Sequence, residues 1–184
     1  MGLNGQNHIL MRFYSRLLYY LYIAKPMKKK ILFICLGNIC RSPAAEGILK
    51  KLIKAEGLQK LYQVDSAGTG GWHAGQPADR RMCHAASKRG LKIDSISRQI
   101  NIDDFTKYDY ILTMDNDNLS AVKKLAGGIP VYPELVIKPI LSYSSSSEYI
   151  EVPDPYYGGE SGFDEVLDLL EDACKGLLRE LTKT

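Results

Sequence analysis

Histidine and cysteine, the usual ligands of transition metals, are scarce here: 184 residues contain three histidines and four cysteines. The cysteines stand at positions 35, 40, 83 and 174, and no two of them form the paired C-x2-C units of a zinc site. The pattern does not resemble a secreted domain held together by disulfides. We therefore expect no metal, and a reducing, cytoplasmic setting in which a thiol stays available for chemistry.

Long apolar runs and a strong excess of charge are missing as well. The apolar run at residues 17–24 is far shorter than the roughly 20 residues that a membrane-spanning helix needs. A net charge of +3, with a basic run only at residues 28–30, is too small to predict nucleic-acid binding. With 45% hydrophobic and 24% charged residues, the composition indicates one globular domain with a sizeable core.

Residues 1–26 differ in composition from the rest of the chain. They lack the small-residue cleavage site of a secretory signal, and Arg12 and Arg16 interrupt their apolar part. Three interpretations stay open: a start upstream of a natural Met27, a poorly ordered extension, or an amphipathic helix lying on the protein or on a membrane surface. We favour the first two, because Met27 and the lysines after it lead directly into a predicted strand. The expected domain then spans residues 27–184.

Strand-like and helix-like patterns alternate from residue 31 onward. Short apolar runs predict strands, and apolar residues at helical spacing predict helices. Strands are expected at 31–34, 62–67, 108–114 and 129–132, helices at 44–57, 78–89, 115–125 and 163–181, and a long connection without periodicity at 133–162. This alternation predicts an α/β fold with a parallel sheet covered by helices on both faces.

Several chemically useful residues follow the predicted strands. Parallel sheets place their ligand sites at the carboxyl ends of the strands, where Cys35, Ser66, Asp115 and Pro133 all lie. Cys35 also begins a C-x5-R pattern that ends at Arg41, directly before a predicted helix. The loop N–H groups, the helix N-terminus and the guanidinium can together hold a tetrahedral oxyanion. We therefore expect an anion site on this edge of the sheet.

The same positive field favours the thiolate of Cys35, which makes it a nucleophile for phosphorus. Ser42 can donate a hydrogen bond to this sulfur. Gly37 permits close approach of the backbone, and Asn38 tolerates a left-handed conformation. The alternative is a small buried cysteine that only ends a strand. Its position on a strand-to-helix turn favours the catalytic interpretation.

Asp154 lies in the long connection and is the candidate general acid. Transfer of a phosphoryl group to a thiolate requires protonation of the leaving oxygen, and the same carboxylate can then activate water. Pro153 and Pro155 stiffen its neighbourhood, while Tyr156 and Tyr157 offer aromatic walls for an aryl substrate. The alternative is an ordinary turn, since these residue types are common in loops.

Taken together, residues 28–184 resemble the low-molecular-weight protein tyrosine phosphatases. The matching segments are C-L-G-N-I-C-R-S-P at 35–43, D-S-A-G-T at 65–69 followed by W-H at 72–73, R-Q at 98–99, D-Y-I-L-T-M-D at 109–115 with Asn118, and D-P-Y-Y-G at 154–158. The resemblance implies a three-layer, flavodoxin-like fold of the phosphotyrosine phosphatase I type, with a four-stranded parallel sheet. It also implies hydrolysis of phosphotyrosine in proteins without metal or cofactor. We expect a monomer or a weak dimer.

The resemblance also implies roles for individual residues. Cys35 forms a phosphocysteine, Arg41 binds the phosphate, and Asp154 acts as general acid and base. Other residues support the loop or line the cleft. Phosphate binding and loop support fall to Leu36, Gly37, Asn38, Ile39, Cys40, Ser42, Ser66 and Asp115, and the cleft walls to Leu36, Ile39, Trp72, Tyr156 and Tyr157.

Two positions leave alternatives open. In this family a second loop cysteine can form a reversible disulfide with the nucleophile, so Cys40 is either that partner or a small packing residue. Ser95 stands where some members carry a histidine, three residues before Arg98. The hydrogen-bond network beside the loop is therefore expected to differ in this chain.

Two other functions compete with the phosphatase. A thioredoxin-coupled arsenate reductase shares the fold and the loop, but it needs two further cysteines after the third strand. None lies between Cys83 and Cys174. A catalytically silent module that binds phosphoproteins would not need Asp154. The presence of all the reactive groups favours the enzyme.

Overall fold

The computed structural model describes residues 28–127, 134–157 and 159–183, with the side chains of all but Tyr157 and Glu160. The N-terminal extension and the strand predicted at 129–132 lie outside the described residues. The strands are β1 (Lys29–Cys35), β2 (Tyr62–Gly68), β3 (Tyr110–Thr113) and β4 (Val136–Pro139). The helices are α1 (Arg41–Ala55), α2 (Arg80–Lys88), α3 (Asp104–Lys107), α4 (Asn116–Ala126) and α5 (Gly159–Thr182), with 3-10 turns at Ile140–Tyr143 and Pro155–Tyr157.

The four strands form one parallel sheet in the order β2-β1-β3-β4. β1 is central, and its Ile31 is paired with Val64 on one side and with Tyr110 on the other. Burial on both faces explains why β1 has an uninterrupted apolar run, residues 31–34, all of it buried. The parallel register brings the carboxyl ends of the strands to one edge, where the loop after β1 begins.

Helices cover both faces of the sheet and give the fold three layers. Successive residues of a strand point to opposite faces. Ile31 and Phe33 accordingly join the core cluster under α1 and α5, while Leu32 and Ile34 join the smaller cluster under α4. The predicted three-layer α/β fold with a four-stranded parallel sheet is confirmed, and its strand order is the flavodoxin-like one.

The fourth strand corrects the sequence-based prediction. β4 lies at Val136–Pro139, inside the stretch 133–162 that we expected to lack regular structure. It is an edge strand beside β3, and all four of its residues are half-buried. A strand of this length without alternating burial carries no period-2 signal, and its proline is tolerated because it lies on an edge.

The first residues of α1 and α4 lie at the carboxyl edge of the sheet. α1 begins at Arg41 rather than at residue 44, so the first turn of the helix faces the loop with its unpaired N–H groups. Asp115 is the N-cap of α4, and its Oδ1 accepts a hydrogen bond from the backbone N–H of Asn118 at 2.7 Å. The short helix α3 was not predicted, because four residues are too few for a helical period.

Candidate active site

The loop that follows β1 curls around the sulfur of Cys35. Asn38 has a φ of 55°, which turns the chain back, and its backbone N–H donates to Cys35 Sγ at 3.2 Å. Ser42 Oγ, in the first turn of α1, lies 3.0 Å from the same sulfur. The side chain of Cys35 is therefore held at the N-terminus of a helix, where negative charge is stabilised.

The side chain of Asn38 connects this loop to its surroundings. Its Nδ2 donates to Ser42 Oγ at 3.0 Å and to Ser66 Oγ at 2.9 Å, and its Oδ1 accepts from the backbone N–H of Arg98 at 2.9 Å. An amide side chain has two N–H groups and one carbonyl oxygen, so each of these groups of Asn38 is used. Asn38 and Ser66, which we both expected to support the loop, are in direct contact.

Ser66 extends this chain of hydrogen bonds to Glu46. Its hydroxyl donates to Glu46 Oε2 at 2.5 Å, and Lys50 Nζ donates to Glu46 Oε1. Glu46 is 4% exposed, so the lysine supplies the charge partner that a buried carboxylate requires. Glu46 was not predicted, although an acidic residue among the apolar positions of α1 was a usable signal.

Ser42 has one hydroxyl proton and two acceptors within reach, Cys35 Sγ at 3.0 Å and the carbonyl oxygen of Ala67 at 3.3 Å. When Cys35 is a thiol, its S–H can donate to Ser42 while the hydroxyl proton turns to Ala67. When Cys35 is a thiolate, the proton can turn to the sulfur. Ser42 can thus stabilise the charged sulfur by rotation of its hydroxyl alone.

Arg41 joins the two acidic residues predicted for the site. Its Nη1 donates to Asp115 Oδ2 at 2.6 Å and to the carbonyl oxygen of Val152 at 3.1 Å, and its Nη2 donates to Asp154 Oδ2 at 2.8 Å. Burial opposes the charge of the guanidinium, but Cys35, Asp154 and Asp115 prevail and raise the pKa of Arg41. The loop that carries Asp154 is thereby bonded to the loop that carries Cys35.

A cleft of about 290 Å³ opens above these groups. Its most exposed walls are Trp72 at 63% of its surface, and Leu36 and Tyr156 at 47% each. His73 belongs to the same wall as Trp72, and a Cβ on Gly37 would lie only 3.0 Å from its ring. The residues that line the cleft are Cys35, Leu36, Gly37, Ile39, Cys40, Arg41, Trp72, His73, Asp154 and Tyr156.

The remaining predicted residues lie behind the cleft or outside the described part of the chain. Four of them support the loop from the rear: Asn38, Ser42, Ser66 and Asp115. The side chain of Tyr157 and the whole of Pro133 are outside the described residues. Leaving these two aside, the structure brings every predicted site residue to one edge of the sheet.

Two supporting contacts have no counterpart in the sequence analysis. Ser97 Oγ donates to the carbonyl oxygen of Gly37 at 3.1 Å and so holds the loop from a distant segment. Arg81 Nη1 donates to the carbonyl oxygen of Tyr156 at 3.2 Å, and its guanidinium lies 4.8 Å from the centre of the Tyr156 ring. No sequence signal points to either residue, because both contacts depend on how separate segments pack.

Cys40 lies in the same loop as the candidate nucleophile. It is a free thiol that is 5% exposed, and it lines the cleft. Burial raises its pKa far above the ordinary value, and the negative charge of Asp79 adds to this effect. Of the other two cysteines, Cys174 is buried in the core, as expected of a packing residue, and Cys83 is half-buried on α2.

The sequence from residue 30 to residue 184 matches the model of a family described as low molecular weight phosphotyrosine protein phosphatase. This chain belongs to that family. Low molecular weight protein-tyrosine-phosphatase YfkJ of Bacillus subtilis is 39% identical over 154 residues, which cover 83% of this chain and 96% of the relative. The predicted family and the predicted enzyme class, a protein-tyrosine-phosphatase, are both confirmed.

Solved structures of phosphatases have the same fold. A protein tyrosine phosphatase from Entamoeba histolytica is 44% identical with a TM-score of 0.78, and the match covers 85% of this chain and 98% of the other. A Drosophila arginine phosphatase is 35% identical with a TM-score of 0.78, over 84% and 98% of the two chains. The family fold is therefore shared by phosphatases with different named substrates.

The described part of this phosphatase contains no group of three or more His, Cys, Asp or Glu side chains that could hold a metal ion. None of its described helices combines the length and the apolar character needed to cross a bilayer. The titratable groups that line the candidate cleft are the thiols of Cys35 and Cys40, the guanidinium of Arg41, the imidazole of His73, the carboxyl of Asp154 and the phenol of Tyr156.

Proposed function

We propose that this phosphatase hydrolyses phosphotyrosine in proteins through a phosphocysteine intermediate. The observation that carries the proposal is the meeting of Cys35, Arg41 and Asp154 at one cleft, with Arg41 bonded directly to Asp154. Membership of the phosphotyrosine phosphatase family supports the same class of substrate. Cys35 is the nucleophile, Arg41 the phosphate-binding group, and Asp154 the general acid and base.

In the first step the thiolate of Cys35 attacks phosphorus. The sulfur electron pair forms the S–P bond, and the pair of the broken P–O bond leaves with the phenolic oxygen, which takes the proton of Asp154. Phosphate oxygens replace Asp154 as hydrogen-bond acceptors of Arg41. This exchange frees the carboxyl group for proton transfer at the moment when substrate is bound.

In the second step water attacks the phosphocysteine. Asp154, now a carboxylate, takes a proton from the water as the new P–O bond forms, and the S–P bond breaks with its electron pair returning to Cys35. The hydroxyl of Ser42, 3.0 Å from the sulfur, turns its proton to the leaving thiolate. Inorganic phosphate departs, and Asp154 is protonated again for the next cycle.

The depth and walls of the cleft favour an aryl ester. Cys35 is only 3% exposed, so a short phosphoserine side chain is disfavoured at the sulfur, while the flat ring of phosphotyrosine fits between Trp72 and Tyr156. Phosphoarginine is the second candidate, since one neighbour of similar fold is an arginine phosphatase and a long side chain also reaches the sulfur. The aromatic walls favour phosphotyrosine.

The deciding experiment compares turnover of a phosphotyrosine peptide, a matched phosphoarginine peptide and para-nitrophenyl phosphate. Cys35→Ser is expected to abolish turnover, and Asp154→Ala to lower kcat for the peptide by about 10²–10⁴-fold. Cys83→Ser is the control for loss of a thiol away from the cleft and should keep wild-type activity. Full activity of Cys35→Ser overturns the mechanism, and faster turnover of the phosphoarginine peptide overturns the substrate class.

We further propose that Cys40 protects the nucleophile. Peroxide converts the thiolate of Cys35 to a sulfenic acid and releases hydroxide. The thiol of Cys40 then displaces water and forms a disulfide. After peroxide treatment, mass analysis should find a Cys35–Cys40 bond that a thiol reductant reverses together with activity. If Cys35 is instead oxidised to a sulfonic acid and no disulfide forms, Cys40 does not protect it and is only a packing residue.

The proposed setting is the cytoplasm, where a reducing pool returns such a disulfide to two thiols. The proposed partners are tyrosine-phosphorylated proteins, and the proposed working form is a monomer or weak dimer. We also propose that residues 27–184 form a single catalytic domain. The family match begins at residue 30, and β1 begins at Lys29. A chain that starts at Met27 should keep the turnover and melting temperature of the full chain; a clear drop in either would assign a role to residues 1–26.

A further inference from the structure

A second cleft lies behind the catalytic loop, between α1 and the segment 90–95. Its volume is about 290 Å³, close to that of the catalytic cleft, which is enough for a small ligand. The helix and the segment approach closely here, because a Cβ on Gly47 would lie 3.1 Å from the carbonyl oxygen of Lys92. None of its lining residues belongs to the proposed catalytic set.

The charges on this second cleft are predominantly positive. Four lysines line it, Lys50, Lys51, Lys54 and Lys92, against the two carboxylates of Glu46 and Asp94. Lys92 lies 3.0 Å from Asp94, and both side chains are largely exposed, so this pair is weak and easily rearranged. The hydrogen bond from Lys92 is the largest cause of the lowered pKa of Asp94, and the positive charges of Lys92 and Lys50 add to it. The charges of Lys92 and Lys50 therefore both reach the interior of the second cleft.

Ser95 provides a polar group without a partner at the same cleft. Its hydroxyl oxygen is buried and makes no hydrogen bond to any described residue. Buried hydroxyl groups are normally paired with protein or with a bound molecule. Rotation of the Ser95 side chain into the cleft would let an oxygen-rich ligand pair with this hydroxyl while it faces the lysines.

One wall of the second cleft is connected to the nucleophile. Lys50 bonds to Glu46, Glu46 accepts from Ser66, and Ser66 accepts from Asn38. The backbone N–H of Asn38 donates to Cys35 Sγ at 3.2 Å. A ligand that draws Lys50 away leaves the buried carboxylate of Glu46 without its cation, and the disturbance reaches the catalytic loop through two further side chains.

We propose that the second cleft binds a small soluble anion carrying two or more phosphate groups, and that its occupation slows the catalytic step. The lysines supply the attraction, Ser95 an additional hydrogen bond, and the Lys50–Glu46 contact the route to Cys35. The binding claim is independent of the proposed function. The effect on turnover rests on the proposed function.

Pyrophosphate is the probe for both claims. The proposed phosphate-binding loop also attracts it, which gives a competitive component of inhibition against para-nitrophenyl phosphate. Binding at the second cleft adds a noncompetitive component, a fall in kcat of about twofold or more that high substrate does not relieve. The variant Lys54→Gln/Lys92→Gln should lose this component, whereas Lys123→Gln/Lys124→Gln, with the same change of charge on α4, should keep it.

Nuclear magnetic resonance separates binding from activity. In the wild type, pyrophosphate should shift the backbone amide signals of residues 91–95 and also those of residues 36–41. The dissociation constants fitted to the two sets of signals should differ, because they report two separate sites. In Lys54→Gln/Lys92→Gln only the loop signals should still titrate. Purely competitive inhibition together with unmoved 91–95 signals overturns the site. Shifted 91–95 signals with an unchanged kcat keep the site and overturn the coupling, and an enzyme inactive on phosphotyrosine still gives a binding result.

Discussion

Asn38 shows how much of this site depends on a single side chain. It combines a left-handed backbone with three side-chain hydrogen bonds, to Ser42, Ser66 and the backbone of Arg98. Asparagine is one of the few residues other than glycine that adopt this conformation readily. Its amide then orients the hydroxyl groups of two serines, one of which touches the sulfur of Cys35. The position therefore requires both the backbone tolerance and the amide.

Substitution of Asn38 can separate these two requirements. Asn38→Gly keeps a backbone that tolerates φ of 55° but loses the amide, while Asn38→Ala loses both. We expect kcat to fall by about tenfold or more in both, because small displacements of a nucleophile are costly. The two variants should differ in stability: the melting temperature of Asn38→Ala should be clearly lower than that of Asn38→Gly. Equal melting temperatures would mean that the left-handed backbone carries no measurable strain.

At the scale of elements, α2 positions the loop that carries Asp154. Arg81, on α2, bonds to Asp79 at 2.8 Å and donates to the carbonyl oxygen of Tyr156, whose own N–H donates to Asp154 Oδ1 at 3.0 Å. The guanidinium also lies 5.0 Å from the ring centre of Phe163, on α5. One arginine thus joins two helices to the loop that carries Asp154.

Arg81→Gln is expected to lower kcat several-fold, because the loop with Asp154 loses a charged hydrogen bond and a stacking contact. Arg80→Gln removes the same charge one residue earlier and is the matched control. Steady-state kinetics with a phosphotyrosine peptide measures both variants. A fall in kcat as large for Arg80→Gln as for Arg81→Gln would attribute the effect to net charge rather than to positioning.

α5 packs without space against the 3-10 turn at Ile140–Tyr143. A Cβ on Gly176 would lie 1.9 Å from the carbonyl oxygen of Tyr143, whereas a Cβ on Gly162 of the same helix would lie 3.7 Å from its nearest neighbour, in Pro155. Gly176→Ala should therefore destabilise the fold by about 2 kcal/mol or more. Gly162→Ala should be neutral or stabilising by up to about 1 kcal/mol, since alanine favours helices. Urea unfolding measures both, and equal free energies would contradict this packing.

Some parts of the fold and of the site can be predicted from the sequence, and others depend on how the chain packs. The strand β1 and the long helices were predicted because burial imposes a regular apolar pattern on them. The C-x5-R loop was predicted because its chemistry is contained in consecutive residues. β4 was not predicted at residues 136–139 because an edge strand of four half-buried residues carries no such pattern. Arg81 and Ser97 act across long sequence separations, so only the packed structure places them.

At the scale of the whole molecule, Asp65 joins three segments that are distant in sequence. It lies on β2, and its Oδ2 accepts from Arg98 Nη2 at 2.8 Å and from the hydroxyl of Tyr108, just before β3, at 2.6 Å. Arg98 also donates to Asp104 on α3, at 2.9 Å. Because the backbone N–H of Arg98 bonds to Asn38, this cluster also supports the catalytic loop.

The pKa of Asp65 makes the contribution of this cluster depend on pH. Burial by itself raises that pKa, but hydrogen bonds from Tyr108 and Arg98 outweigh it and hold the pKa below its ordinary value. A lowered folded-state pKa stabilises the fold above the unfolded value of about 3.9, and the stabilisation is lost as pH falls through the folded value. Asp65→Asn should therefore be less stable than the wild type at pH 7, and the difference should shrink below about pH 4.

Urea unfolding between pH 7 and pH 3 measures this difference. Asp103→Asn is the control, since Asp103 is largely exposed and its nearest cation, Lys107, is 3.6 Å away. Its stability should follow the wild type across the range. A gap between Asp65→Asn and the wild type that stays constant down to pH 3 would mean that packing of the side chain, and not its charge, holds the three segments together.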